Sequence, residues 1–254
     1  MSEENLSEQN LPPSETGEPL STTDAMAGVI TSPAETFEAV ADTPGKKYWV
    51  IPIIIVAIVG LVCSYLFMQD TELINKTMDK QKAKMMERFD KNIKEGKMTQ
   101  EDADKAAEHM NPKSATFKMF GYGGALIGTF LILFVLALVY FIILKIMKAD
   151  VSFGSILNVV GLAMLITAIG NIIGVVLSIL KGEPTSAGLS LILSEDSVGE
   201  KMYTFLTKID LFSIWFYIVV AIGLSKVSRT SFANALGVVI GVFLVYAVVT
   251  SFFF

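Results

Sequence analysis

The chain has 254 residues, 52% of them hydrophobic and only 18% charged, with a mean hydropathy of +0.57. That is more apolar surface than a water-soluble domain of this length can bury, so lipid has to solvate part of it. A net charge of -5 from 25 acidic and 20 basic residues provides no polybasic surface and excludes nucleic acid as a partner.

Residues 1–23 carry Pro12, Pro13 and Pro19 and five glutamates, too polar to bury a core, and read as a disordered acidic tail. With no Lys or Arg there to form a basic n-region, no signal peptide is expected and the tail should stay in the mature chain. Residues 24–47 read as an amphipathic interfacial segment of two short helices. Asp24 is the expected cap of the first. Ser32 is that of the second, with Pro33 at its first position, Glu35 completing a capping box, and Phe37 and Val40 on one face.

Residues 48–254 form the membrane domain. Its first span, Tyr48 to Phe67, is uncharged, and its length matches one hydrocarbon thickness, roughly 30 Å. Cys63 lies inside it and reads as a small buried hydrophobe. Residues 69–118 then hold eleven basic and ten acidic side chains. Ile74, Met78, Met85, Phe89 and Ile93 recur there at spacings of four or seven, the seam of a charged helix that Gly96 should stop. Thr99 should cap a second helix with Ala103, Ala106, Ala107 and Met110 on one face, ended by Asn111-Pro112. The expectation is an extramembrane helical hairpin, read as a self-packed spacer, with docking of a partner as its functional alternative.

Further spans are expected at Met119 to Leu144, Ile156 to Leu180, Leu211 to Ser225 and Phe232 to Phe254. The fourth is short and should borrow length from an interfacial helix opening on a Ser197-x-x-Glu200 box. The fold class is therefore an all-α membrane protein with five transmembrane helices. Lys46 and Lys47, Lys145 and Lys148, and Lys226 and Arg229 fall on one side of such a bundle. The positive-inside rule puts that side and the N-terminus in the cytoplasm, and the C-terminus outside.

The five spans contain no Asp, Glu, Lys, Arg or His, which argues against proton coupling and intramembrane aspartyl or metal chemistry. His109 stands beside Glu108 with no second ligand at metal spacing. Neither a Gly-x-Ser-x-Gly elbow nor a phosphate loop occurs. No catalytic residue, cofactor or metal is expected. Three glycine pairs, Gly124 and Gly128, Gly170 and Gly174, and Gly237 and Gly241, have the spacing that lets helices approach closely. They are expected to pack the bundle, with a homo-oligomer as the alternative use. Span three carries Asn158, Thr167, Asn171 and Ser178. These read as interhelical hydrogen-bonding groups or, alternatively, as the polar path of a small-solute channel or uniporter.

Gly28-Val29-Ile30-Thr31-Ser32-Pro33 with Phe37 downstream, then five spans, resembles the Yip domain family, named for interaction with Ypt and Rab GTPases. Asp210 to Trp215, Ile222 to Ser225 and Ala233 to Ala235 are similar to that family's fourth span and its approach to the fifth. The eukaryotic Asp-Leu-Tyr-Gly-Pro motif is absent, and the chain looks more like prokaryotic members, with the hairpin as an insertion. The resemblance implies a non-catalytic scaffold or adaptor in a bacterial inner membrane. Its partners would be the lipid bilayer and other membrane or cytoplasmic proteins, with Pro33 and Phe37 as candidate contact residues.

Overall fold

The structure, a computed structural model, describes residues 20–43, 45–109, 112, 114–193 and 195–252. Met110, Asn111 and most of the acidic tail lie outside the described residues. The described elements are α1 (Thr22–Thr31), α2 (Pro33–Ala41), α3 (Val50–Gln69), α4 (Thr71–Lys94), α5 (Gln100–His109), α6 (Ala115–Ile146), α7 (Phe153–Lys181), a 3-10 turn (Leu189–Leu191), α8 (Glu195–Val198), α9 (Glu200–Leu206), α10 (Leu211–Ser228) and α11 (Phe232–Phe252). The chain is an all-α bundle in which α3, α6, α7, α10 and α11 are long and apolar enough to cross a membrane. No strand occurs among the described residues, although Gly188 and Asp210 form an isolated antiparallel bridge.

Several helices run past the uncharged stretch that marks each span. The 32 residues of α6 extend roughly 48 Å at about 1.5 Å per residue, well beyond a hydrocarbon core. The extra turns bring in Lys118 and Lys145 at its two ends, and Lys181 and Lys226 close α7 and α10. A lysine in a terminal turn can extend its stem along apolar surface and keep its ammonium in water, so such charges do not end the helix.

At the centre stands α7, with every residue from Ser155 to Ile166 buried. It packs against α3, α10 and α6, and α10 in turn packs against α11. The ends of α3, α6, α7 and α10 that carry the short basic loops lie together on one face, here called the N-terminal face, where α1 and α2 dock.

The docking of α1 and α2 alters two sequence expectations. Ser21, not Asp24, caps α1: its hydroxyl accepts from the Asp24 N–H at 3.0 Å and donates back to the Asp24 carboxylate. Ser32 holds the cap position of α2 with Pro33 next, but its side chain makes no capping bond, so the box with Glu35 does not form. Instead Thr36 Oγ1 donates to the Ser32 carbonyl at 2.9 Å. Burial of Val29, Phe37 and Val40 fixes both helices against α7 and α10, so they sit on protein. Lys226 Nζ pairs with Glu38 Oε2 at 2.7 Å, and that hydrogen bond and charge hold the Glu38 carboxyl below its ordinary value. Tyr48 is buried as well, its hydroxyl donating at 2.9 Å to the Leu20 carbonyl that also receives Lys46 Nζ.

On the opposite, hairpin face, Asp70 caps α4 by accepting from the Leu73 N–H at 3.0 Å. Gly96, at φ +69, ends that helix in a Schellman motif: its N–H reaches the Ile93 carbonyl at 3.0 Å and that of Lys97 reaches Asn92 at 2.8 Å. Thr99 and Asp102 cap each other at the start of α5. Phe89 and Ala103 are buried on the two arms, which pack together. The base of the hairpin is tied down where Lys76 Nζ donates to the Gly182 carbonyl at 3.1 Å, and its pairing with Glu72 at 2.9 Å raises the Lys76 amine above its ordinary value.

The approach to the fourth span is broken, not continuous. Ser197 lies inside α8, and Gly199 at φ +80, not Ser197, holds the cap position of α9. After Leu206 the chain turns, and Asp210 Oδ1 accepts from the N–H groups of Phe212 (2.9 Å) and Ser213 (3.1 Å) to start α10 afresh. A half-buried carboxylate cap at this point starts the 18-residue span without help from α9.

Candidate functional site: an intramembrane cleft

Small side chains on α6 and α7 leave room where neighbouring helices would otherwise meet. A cleft of about 640 Å³ runs from the hairpin face between α3, α6, α7 and α10. A second, lateral arm of about 530 Å³ borders it and opens sideways between α6 and α11. The arms share Thr129, Ile132, Thr167, Asn171 and Ser213. Each falls in the size range of small-molecule sites, about 300–1,000 Å³.

Two sets of residues that sequence reasoning kept apart converge here. Gly124, Gly128, Gly170 and Gly174 line the first arm, and so do Thr167, Asn171 and Ser178. The glycines nevertheless do different work. A Cβ on Gly170 would stand 2.7 Å from Phe212 Cβ, so this glycine lets α7 come close against α10. A Cβ on Gly174 would meet only the Thr185 carbonyl, at 3.6 Å, and one on Gly124 or Gly128 would meet nothing within 4 Å. They leave the cleft open instead of closing a helix pair. A Cβ on Gly237 or Gly241 would also meet nothing within 4 Å, and both are exposed on α11; among the described residues they bring no helix close.

Other glycines that permit close approach were singled out by no paired spacing. A Cβ on Gly161 would fall 2.6 Å from Trp49 Cβ, and one on Gly223 would fall 2.5 Å from Val159 and 3.0 Å from the Phe37 ring. Phe37 itself is fully buried, so its ring completes the core and is not on offer to a partner. Pro33 beside it is half-buried.

The polar residues of span three separate in the same way. Asn158 is buried and clamps the chain entering α3, donating to the Lys46 carbonyl at 2.8 Å and accepting from the Trp49 N–H at 3.3 Å. It lines neither arm, so the four residues form no common path. Thr167 donates to the Met164 carbonyl at 2.7 Å. Ser178 donates to Gly174 at 2.7 Å and accepts the Thr185 N–H at 2.9 Å, stitching the following loop onto α7. Asn171 alone presents an exposed amide to the cleft without a side-chain hydrogen bond among the described residues.

Further groups in the cleft were not singled out by sequence as site residues. Asp210 and Ser213 stand at its polar mouth, Ser213 Oγ donating to Asp210 Oδ2 at 2.6 Å. Tyr140 lines the lateral arm, is fully buried, and its hydroxyl has no hydrogen-bond partner among the described residues. A buried polar group left unpaired costs about 1–3 kcal/mol, so such an orphan calls for an explanation. Among the described residues no group of three or more His, Cys, Asp or Glu could hold a metal ion.

Five apolar helices, charges confined to their ends and a cleft between them define a polytopic helical membrane protein. Residues 27–253 match the Yip1 domain, and the chain belongs to that family. Among similar proteins is the membrane protein YknW of Bacillus subtilis, 26% identical over 211 residues that cover 82% of this chain and 80% of that protein. No solved structure matches the chain.

Proposed function

We propose that this Yip1-domain protein is a non-catalytic scaffold of the bacterial inner membrane, recruiting partner proteins through the platform that α1 and α2 form on its cytoplasmic face. One observation carries the reading: the inner sides of both helices are spent on the bundle while a mixed outer side remains exposed. Val29, Phe37 and Val40 are buried, whereas Ile30, Ala34 and Glu35 face outward. Elements fastened this firmly present a fixed surface, and a fixed surface binds without the entropy cost of ordering on contact. The hairpin, braced at its base by Lys76, is a second presenting element on the other side. A solute path finds less support, because Asn158 is consumed by the α3 entry and the half of α7 before Thr167 is closely packed.

The test is affinity capture of the full-length protein after cross-linking in intact cells, compared with Ile30→Asp and Glu35→Lys. Both substitutions are on the exposed side and should leave folding unchanged. The scaffold reading expects a reproducible set of proteins that both variants lose. Capture of nothing above background, or of the same set by both variants, would sink it.

A further inference from the structure

Hydrogen-bonding side chains from three helices line the lateral arm: the Asn171 amide on α7, the Tyr217 hydroxyl on α10 and the Tyr246 hydroxyl on α11. None of them makes a side-chain hydrogen bond among the described residues, and Asn171 and Tyr246 are exposed while Tyr217 is half-buried. The Tyr140 hydroxyl, by contrast, is enclosed and takes no part. Helix register brings the three free groups to one height. A Cβ on Gly170 would stand 2.7 Å from Phe212, which sets Asn171 level with Ser213. The Tyr217 and Phe243 rings meet at 4.8 Å, which sets those two residues level with each other. The Tyr217 backbone is then roughly 6 Å farther from the hairpin face than Ser213, and that of Tyr246 roughly 4.5 Å nearer to it than Phe243. Helical side chains lean toward the N-terminus of their own helix, so Tyr217 reaches toward the hairpin face while Asn171 and Tyr246 lean away from it. Their polar ends converge within about one helical turn along the bundle axis.

The wall at that height is aromatic, built from Phe216, Tyr217, Phe243 and Tyr246. Farther from the hairpin face it turns aliphatic. Trp49 touches the Phe134 ring on one side and the Gly161 position on the other, so Leu131 and Val135 stand roughly two to three turns below Asn171. Both are exposed on the apolar girth of the bundle, where acyl chains lie. The described residues lining this arm include no Asp, Glu, Lys, Arg or His. Lys208 stands outside the lining, over the Tyr246 ring at 6.0 Å with its ammonium donating to the Thr204 carbonyl. An ion entering the arm would lose its hydration and meet no counter-charge. The occupant that fits is neutral. It has a flat ring to lie among aromatic side chains, oxygen acceptors on the ring edge for the amide and the phenols, and an apolar tail that leaves sideways.

We propose that the lateral arm binds an isoprenoid quinone. Its ring lies against Tyr217, Phe243 and Tyr246, its carbonyl oxygens accept from the Asn171 amide and the two tyrosine hydroxyls, and its tail leaves past Leu131 and Val135 between α6 and α11. This does not depend on the scaffold reading, since partner recruitment uses α1 and α2 on the other face.

The test is native mass spectrometry of the full-length protein, stripped of lipid in mild detergent and then mixed with menaquinone-4 or, separately, dioleoylglycerol, a neutral lipid without a ring. Wild type should retain menaquinone-4 and release dioleoylglycerol. Asn171→Leu, Tyr217→Phe and Tyr246→Phe each remove one donor that bonds to nothing among the described residues. Each should weaken retention about fivefold, the value of one hydrogen bond, and the triple variant should abolish it. The melting temperature of the ligand-free protein should not move in any of them. Should one variant misfold, the other two decide. The proposal is overturned by absence of a menaquinone-4 adduct, by equal retention of dioleoylglycerol, which would mark a merely apolar cavity, or by unchanged retention in the folded variants.

Discussion

Asn158 and Asn171 sit on the same helix and look equivalent in sequence, yet the structure gives them opposite tasks. Asn158, buried, holds the Lys46 carbonyl and the Trp49 N–H, two backbone groups at the α3 entrance. Replacing it by Leu keeps the branched shape and strands both groups away from water, which costs about 1–3 kcal/mol for each one left unsatisfied. The expected outcome for Asn158→Leu is a clear drop in melting temperature in detergent. Asn171→Leu should melt with wild type, because its amide faces the cleft and bonds to no group among the described residues. Equal losses in the two variants would mean that the clamp has been misread. Periodicity could locate both residues on span three, but only the position of the α2–α3 linker, a contact more than a hundred residues away in sequence, distinguishes them.

At the level of elements, the apolar spans were legible because each needs an uninterrupted run of hydrophobic residues, and the Schellman stop at Gly96 and the cap at Thr99 were legible because each is written within four or five residues. Helix contacts are not written locally. A glycine pair four apart is a permission for close approach, and whether it is used depends on which helix lies opposite. Gly161 is used: an added Cβ would meet Trp49 Cβ at 2.6 Å and Trp49 Cα at 3.0 Å, and backbone there cannot yield as a flexible side chain could. Gly161→Ala should therefore destabilise the bundle by about 1–3 kcal/mol through overpacking. Gly237→Ala meets nothing within 4 Å and should be neutral or slightly stabilising, since Ala favours helix over Gly by up to ~1 kcal/mol. Thermal melting of the two variants side by side checks the contrast. A loss in Gly237→Ala that grows with protein concentration would instead reveal a second copy packed on α11. The cleft was legible only in its parts, as glycines and as polar residues. That the two groups line one space follows from α3, α6 and α10 surrounding α7, which no single segment records.

For the whole molecule, the orientation of the bundle decides where every other feature acts. The structure gathers Lys46, Lys47, Lys145, Lys148, Lys226 and Arg229 at the ends of helices on the N-terminal face, and leaves the hairpin with its nearly balanced charges on the other. Basic residues in short loops resist export, whereas a long segment crosses largely regardless of charge, so the N-terminal face should be cytoplasmic despite the lysines of the hairpin. The arrangement can be read directly with single cysteines at Lys47 and Lys97, both exposed, in a Cys63→Ala background. A membrane-impermeant maleimide added to intact cells should label the Lys97→Cys protein and leave Lys47→Cys unlabelled until the membrane is opened. The reverse pattern would move the α1–α2 platform outside, where cytoplasmic partners could not reach it, and would turn the polar mouth of the cleft toward the cytoplasm. Labelling of both from outside would contradict an odd number of crossings between the platform and the hairpin. The single span α3 joining those two positions makes this the most direct reading of the topology.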